Sequence, residues 1–242
     1  MAAAGFIPVS DFSLPHILVE EKHFLVVYKP PRMHSAPQPR SAQAQTLFDV
    51  CALQFPEIAD VPGRSAGEGG LLHRLDYETQ GLLLIARTKT AMQSFLEQQK
   101  EGTFRKEYSA LAAKSETALG GFPPMAPHPG QNIIQSAFRP YGPGRKAVRP
   151  TTGEQYRTEI LETHSLASGL TAFRLGIVRG FRHQIRSHLA WLRMPILNDS
   201  LYGGRPFGGG FLGLRAFSLS FTDPASAKER TFSIPQIEPG DV

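Results

Sequence analysis

The chain has 242 residues, 41% of them hydrophobic and 19% charged, which is ordinary for a soluble globular protein of one large domain or two small ones. No apolar run approaches the roughly 20 residues of a membrane span, and the start, MAAAGFIPVSDF, lacks the basic stretch and apolar core of a signal peptide. The single cysteine, Cys51, excludes an internal disulfide and points to a reducing, cytoplasmic setting.

In chain order, HILVEE and HFLVVYKP read as strands about a turn, the second ended by Pro30-Pro31. A helix is expected from about Thr46, its N-cap, to Phe55, with Cys51 on the buried face. VPGRSAGEGG is a glycine-rich loop, and LLHRLD, YETQ and GLLLIAR read as strand, tight connection and strand. Thr88 caps a helix through Lys100 whose apolar face is Ala91, Met92, Phe95 and Leu96. TFRKEYSALAA returns to strand, while GGFPPMAPHPGQ and RPYGPGRKAVRP read as loops flanking the run NIIQSAF. EQYRTEILET and GLTAFRLGIVRG read as paired strands, a second helix covers Arg182 to Arg193, and RAFSLSFTDPASAKERTFSIP reads as a hairpin about an Asp-Pro turn. The mix predicts an α+β fold with a mainly antiparallel sheet and few helices.

The formal charge of +5 is unevenly spread. From Thr117 to Gly153 there is no acidic residue, but Arg139, Arg145, Lys146 and Arg149 are present; from Thr163 to Asn198 there is again none, with Arg174, Arg179, Arg182, Arg186 and Arg193. Acid-free basic segments point to a polyanion partner, RNA or DNA before membrane. In GFRHQIRSHLAWLRMP, Arg182 and Arg186 fall in the expected first turn, against the helix dipole, and so predict an anion at the helix start. His183 and His188 are five apart where a zinc pair on one face favours four; His188 reads as a core residue and no metal site is expected.

HRLDYETQGLLLIART resembles the H-R-L-D-x-x-T-S-G-L-L-L signature of the RluA-type pseudouridine synthases. FLVVYKPPRMHSAP is similar to that family's early Lys-Pro strand end, FRKEYSALAA to its K-x-Y strand, and GFRHQIRSHLAWLRMPILNDSLYGG to its G-R-T-H-Q-I-R-x-H helix followed by G-D-x-x-Y-G. The resemblance implies the α+β pseudouridine synthase catalytic fold, with a mixed, mainly antiparallel sheet, flanking helices and a central active-site cleft. It implies one catalytic domain over 1–242, or two subdomains about the cleft, with no N-terminal S4 module, and a reaction without metal or cofactor. Asp76 matches the essential aspartate, Tyr108 the active-site tyrosine and Arg186 the basic residue that pairs with the aspartate. The chain departs from the pattern at Pro31-Arg32, Gln80, Phe181-Arg182 and Asn198.

The chemistry fits these residue types. Moving uracil from its N-linked to its C-linked form breaks the bond at C1′, and one carboxylate either attacks C1′ or helps form a glycal. A nearby cation favours the ionised carboxylate. A glycosidase would want two facing carboxylates, and Glu78 reads as a loop residue. Tyr108 offers a ring to the base and a hydroxyl near C5, and the base must leave its stack. Arg74 could hold a phosphate or wedge the vacated stack, or form a structural ion pair. Lys29, Thr79, Arg182, His183 and Gln184 are the remaining candidates for RNA or substrate contacts. The expected activity is isomerisation of specific uridines in rRNA or tRNA by a protein with no membrane partner, a monomer being favoured. A non-catalytic RNA-binding protein on the same fold, or a small-molecule nucleosidase, are the rivals.

Overall fold

The computed structural model describes residues 4–9, 11–37, 45–63, 65, 67–124 and 132–242. The first three residues, Arg64 and Ala66 of the glycine-rich loop, and the MAPHPGQ part of the first proline-rich loop lie outside them. In chain order the elements are β1 (Ala4–Phe6), β2 (His16–Glu20), β3 (Phe24–Lys29), α1 (Leu47–Gln54), β4 (Gln80–Ala86) and α2 (Lys89–Glu101). Then follow β5 (Arg105–Ala113), β6 (Ile133–Tyr141), β7 (Ala147–Ser165), β8 (Leu170–Ile177), α3 (Gln184–Trp191), β9 (Leu214–Thr222) and β10 (Glu229–Ser233). The fold is α+β with a mixed, mainly antiparallel strand arrangement, and the chain forms two compact units: Met1–Lys106 with Ala216–Pro235, and Glu107–Arg215 with Gln236–Val242. Among the described residues no helix is long and apolar enough to cross a membrane.

In the first unit the strands lie in the order β2-β3-β4-β9, with β10 on β9 and β1 parallel to β10. Every residue of β3 and β4 is buried, as their unbroken apolar runs require. Phe24, Phe95, Phe104, Phe221 and Phe232 form the centre of the core, with Phe221 edge-on to Phe24 and to Phe95 at 5.3 Å between centroids. Both helices start where their caps dictate. Thr46 and Asp49 form a reciprocal capping box on α1, and the Thr88 hydroxyl accepts the Ala91 N–H at 3.2 Å on α2. Cys51 is buried on α1, and burial pushes its thiol up to about 12, which leaves it a core residue. From α2, the buried Gln98 amide makes two bonds of 2.8 Å to the backbone of Thr222, closing the end of β9.

The second unit has the order β5-β8-β7-β6 and packs Leu111, Leu170, Leu197 and Ile237 together. RPYGPGRKAVRP, expected as a loop, is a hairpin in which Tyr141 pairs with Ala147 and Arg139 with Arg149. Its prolines do not exclude pairing because β6 ends the strand order, and an edge strand tolerates a missing donor at Pro140. The helix expected from Arg182 begins later, at Gln184, with His183 as its left-handed N-cap residue at φ 55°. Arg182 therefore precedes the first turn rather than loading it.

His188 is the core histidine its place on the apolar stripe implied. Its Nδ1 lies 2.9 Å from the Thr158 hydroxyl and its Nε2 2.9 Å from that of Ser136, and burial lowers its pKa to about 3. The unfolded chain takes up this proton near the ordinary 6.5 while the folded chain does not, so stability is full above that value and is lost as pH falls. Urea titrations of wild type and His188→Gln should show the wild type losing about 2 kcal/mol more than the variant between roughly pH 7 and pH 5. Equal losses would mean that His188 is protonated in the fold.

Candidate active site

The segment LLHRLD pairs only at its start. Leu71 bridges Ile85 and the Leu72 N–H donates to the Leu84 carbonyl at 3.0 Å. The strand expected to run on to Asp76 does not form, because β4 has β3 and β9 as its neighbours. A side chain replaces the ladder: the Ser35 hydroxyl accepts from Leu75 N–H and donates to Leu75 C=O, both at 3.0 Å. Asp76 follows, half-buried, and its carbonyl accepts the Thr79 N–H at 3.1 Å to close a turn. Gly81, the second residue of β4, takes φ 130°, where a Cβ would meet the Ala216 carbonyl oxygen at 2.2 Å, so only glycine lets β9 pass.

Lys29 braces this turn from below the surface. It is fully buried, and its Nζ donates to the carbonyls of Pro30 and Met33 at 2.8 Å and of Tyr77 at 3.2 Å. Three carbonyls match the three N–H bonds of an ammonium. Burial lowers its pKa to about 7, against the opposing pull of Asp76 and Glu78. Its burial among carbonyls does not fit the expected contact to RNA. Thr79 is buried too, and its hydroxyl has no hydrogen-bond partner among the described residues. Arg74 is exposed and pairs with the buried Glu68 at 3.0 Å, the ion-pair alternative, while its side chain stays open to solvent.

In the second unit, Tyr108 is buried on β5. Arg186, on the first turn of α3, is buried against Asp199 in a two-point pair, Nε to Oδ2 at 2.7 Å and Nη2 to Oδ1 at 2.8 Å. Its guanidinium carbon also lies 5.4 Å from the centre of the Tyr202 ring. The anion that the helix charge called for includes this carboxylate, which sequence reasoning left unassigned although it stood in view as the aspartate of the D-x-x-Y-G match. Gln184 is buried, accepting from Phe181 N–H at 3.0 Å and donating to the Arg157 carbonyl at 2.9 Å and the Thr158 hydroxyl at 3.0 Å. His183 Nδ1 lies 3.2 Å from the Tyr202 hydroxyl, and exposed Arg182 donates to the Arg145 carbonyl at 3.0 Å. Asp76, Lys29, Thr79 and Arg74 thus belong to the first unit, and Tyr108, Arg182, His183, Gln184 and Arg186 to the second.

Residues 23–191 match the RNA pseudouridylate synthase family. The chain belongs to that family. Among its relatives, the ribosomal large subunit pseudouridine synthase D of Pasteurella multocida (strain Pm70) is 34% identical over 192 residues, 79% of this chain and 53% of the relative. The protein of the same name from Yersinia pestis is 31% identical over 190 residues, 78% of this chain and 53% of the relative. The chain thus spans about half the length of these curated relatives. The solved structure of human RNA pseudouridylate synthase domain containing 1 shares the fold, with a TM-score of 0.61 at 23% identity, covering 94% of this chain and 86% of that one. The RluA-type resemblance of the motifs stands with these relatives.

Several departures from the RNA pseudouridylate synthase pattern now have physical reasons. Gln80, where serine is usual, is buried and its Oε1 accepts from the Tyr28 hydroxyl at 2.8 Å, so it is a core contact. Asn198, in place of glycine, takes φ 61°, a region asparagine tolerates, and its amide binds the backbone of Phe207 and Phe211. Arg32, where glycine is common, sits at φ 58° beside Glu78 at 3.7 Å.

Asp199→Asn should destabilise the fold by about 3–5 kcal/mol because it leaves the Arg186 charge buried without its carboxylate. Chemical denaturation of Asp199→Leu with Arg186→Met should recover a large part of that loss; a double variant as weak as the single one would refute the pairing. For Lys29, the folded pKa of about 7 lies below the ordinary 10.5, so the unfolded chain holds the extra proton between them and stability rises with pH across that window. Lys29→Met removes that rise, and the wild-type-minus-variant difference in unfolding free energy should grow from neutral to alkaline pH. A flat difference would place the Lys29 ammonium in solvent-like surroundings.

Proposed function

We propose that the chain is an RNA pseudouridine synthase acting on large-subunit ribosomal RNA, with Asp76 as its catalytic carboxylate. The observation that carries this reading is Asp76 itself: a half-buried carboxylate at the tip of a turn braced by Ser35, Lys29 and Gly81, within the H-R-L-D motif. The names of its relatives favour ribosomal RNA over tRNA. The reaction is an internal transfer: the bond from C1′ to N1 of uracil breaks, the base turns, a bond forms from C1′ to C5, and the C5 proton ends on N1. Nothing is oxidised or reduced, and no cofactor enters the reading.

In this scheme ionised Asp76 meets the positive charge that develops at C1′, by direct attack or through a glycal. Arg186, oriented by Asp199, takes the part of the motif's basic residue, and Tyr108 is assigned to the base and its C5 proton. The Thr79 hydroxyl, without a partner among the described residues and three residues from Asp76, is available to a polar group of the substrate. Arg74 and Arg182, both exposed, are assigned to the phosphate backbone. His183 and Gln184, engaged with Tyr202 and with β7, hold Arg182 and the start of α3 in place. We place the protein in the cytoplasm, acting as one catalytic domain.

Asp76→Asn should abolish pseudouridine formation on large-subunit RNA while the variant folds and still binds that RNA. Mapping of pseudouridine in RNA incubated with each protein checks it; full turnover by the variant would remove Asp76 from the chemistry, and absence of product with the wild type would favour a non-catalytic RNA-binding role.

A further inference from the structure

Phe181 is one of the departures that the core does not explain. It precedes α3 in the sequence Arg179-Gly180-Phe181-Arg182, and it is only half-buried. Its ring stacks on that of Phe138 from β6, with centroids 5.1 Å apart and planes within 8°. Tyr156 from β7 completes the group, 4.8 Å from Phe181 and 5.7 Å from Phe138. All three rings are half-buried, so each keeps part of its surface in solvent, and Phe138 is backed by the buried His188 ring at 4.9 Å. The β6–β7 hairpin and the segment before α3 therefore converge to hold aromatic surface at the outside of the second unit.

Basic groups surround this cluster. Exposed Arg179 lies over Tyr156, its guanidinium carbon 5.4 Å from the ring centre. Arg182 bonds the Arg145 carbonyl, which draws the exposed turn carrying Arg145 and Lys146 to the same end of α3. These side chains come from the two acid-free segments, apart from Tyr156, which follows Glu154 by two residues. Half-exposed aromatic faces within a positive rim suit a polyanion whose units carry flat rings. A protein surface of opposite charge would meet the rim but would have no reason to stack.

We infer that Phe181, Phe138 and Tyr156, with Arg179, form a stacking platform for unpaired bases of single-stranded RNA, with the backbone phosphates held by the arginine rim. The inference rests on the RNA-modifying reading for the identity of the polymer, but it assigns a contact surface outside the Asp76 turn. The planes of the two phenylalanines offer a stacking surface that does not depend on base identity, so the platform adds affinity rather than choosing the uridine.

The test uses the full chain with a fluorescently labelled single-stranded RNA oligonucleotide, the same sequence as a duplex, and large-subunit RNA for turnover. Phe181→Leu and Tyr156→Leu keep apolar volume and remove a π face; circular dichroism checks their folding. Each should weaken single-strand binding about tenfold, with the duplex less affected. Arg179→Gln, at an exposed position, should weaken binding and reduce the salt dependence by about one released ion. Pseudouridine formation should report the same loss of affinity as a raised KM for RNA in all three variants. Wild-type affinity in Arg179→Gln and in folded Phe181→Leu, with normal turnover, overturns the platform and leaves the proposed function standing. Loss of self-association rather than RNA affinity would assign the surface to a second copy of the chain and also overturn it. Tenfold weaker binding by the variants, beside a wild type that makes no pseudouridine, would uphold the platform and sink the enzymatic reading.

Discussion

A cation taken out of water must be met by oxygen, and this protein buries several cations beside irregular stretches of its backbone. Lys29 is surrounded by carbonyls, Arg186 by the Asp199 carboxylate, and Arg215 by the Gln236 carbonyl and Asp241. Leaving any of these unpaired would cost more than a typical side-chain contact contributes. The demand shapes the loops: the chain after β3 curls so that Pro30 and Met33 reach Lys29, and the Asp76 turn presents Tyr77 to the same ammonium. The loop after α3 likewise folds so that Asp199 meets Arg186 while Asn198 takes a left-handed conformation. Irregular backbone is thereby held as firmly as a strand would hold it.

What could be read from the sequence was mostly local. Thr46 and Thr88 announced their helices because a cap acts within one turn, and the hairpin about Asp223 followed from its own residues, whose carboxylate caps the Ala225 N–H at 2.8 Å. Asp76 and its motif were legible as a pattern of residue types. The bracing was not. Ser35 and Lys29 reach the Asp76 turn from 40 and 48 residues away, to Leu75 and Tyr77, and neither pattern nor propensity reports such distances. The LLHRLD segment was misread for the same reason: it has the composition of a strand, but β9, from far along the chain, takes the neighbouring place on β4.

The departures from the family motif divide by environment. Gln80 points into the core and answers to Tyr28, so its change from serine concerns packing. Phe181 remains partly in solvent, and its change concerns what the surface meets. One substitution type, a larger side chain in place of a smaller or a charged one, thus has two meanings that only burial separates.

The first unit is closed by residues that the ribosome delivers long after its other core strands. β4, buried on every residue, has β9 as a neighbour, and the Gln98 amide of α2 waits for Thr222, 124 residues on. Until Ala216–Pro235 has emerged, the unit that carries Asp76 lacks part of its core and leaves one edge of an entirely buried strand without its backbone partner. Residues Glu107–Arg215 of the second unit are synthesised before that happens, and Gln236–Val242 join them afterwards. Maturation of the Asp76 turn is therefore tied to the emergence of β9, and a nascent chain stalled before β9 exposes a strand edge prone to aggregation.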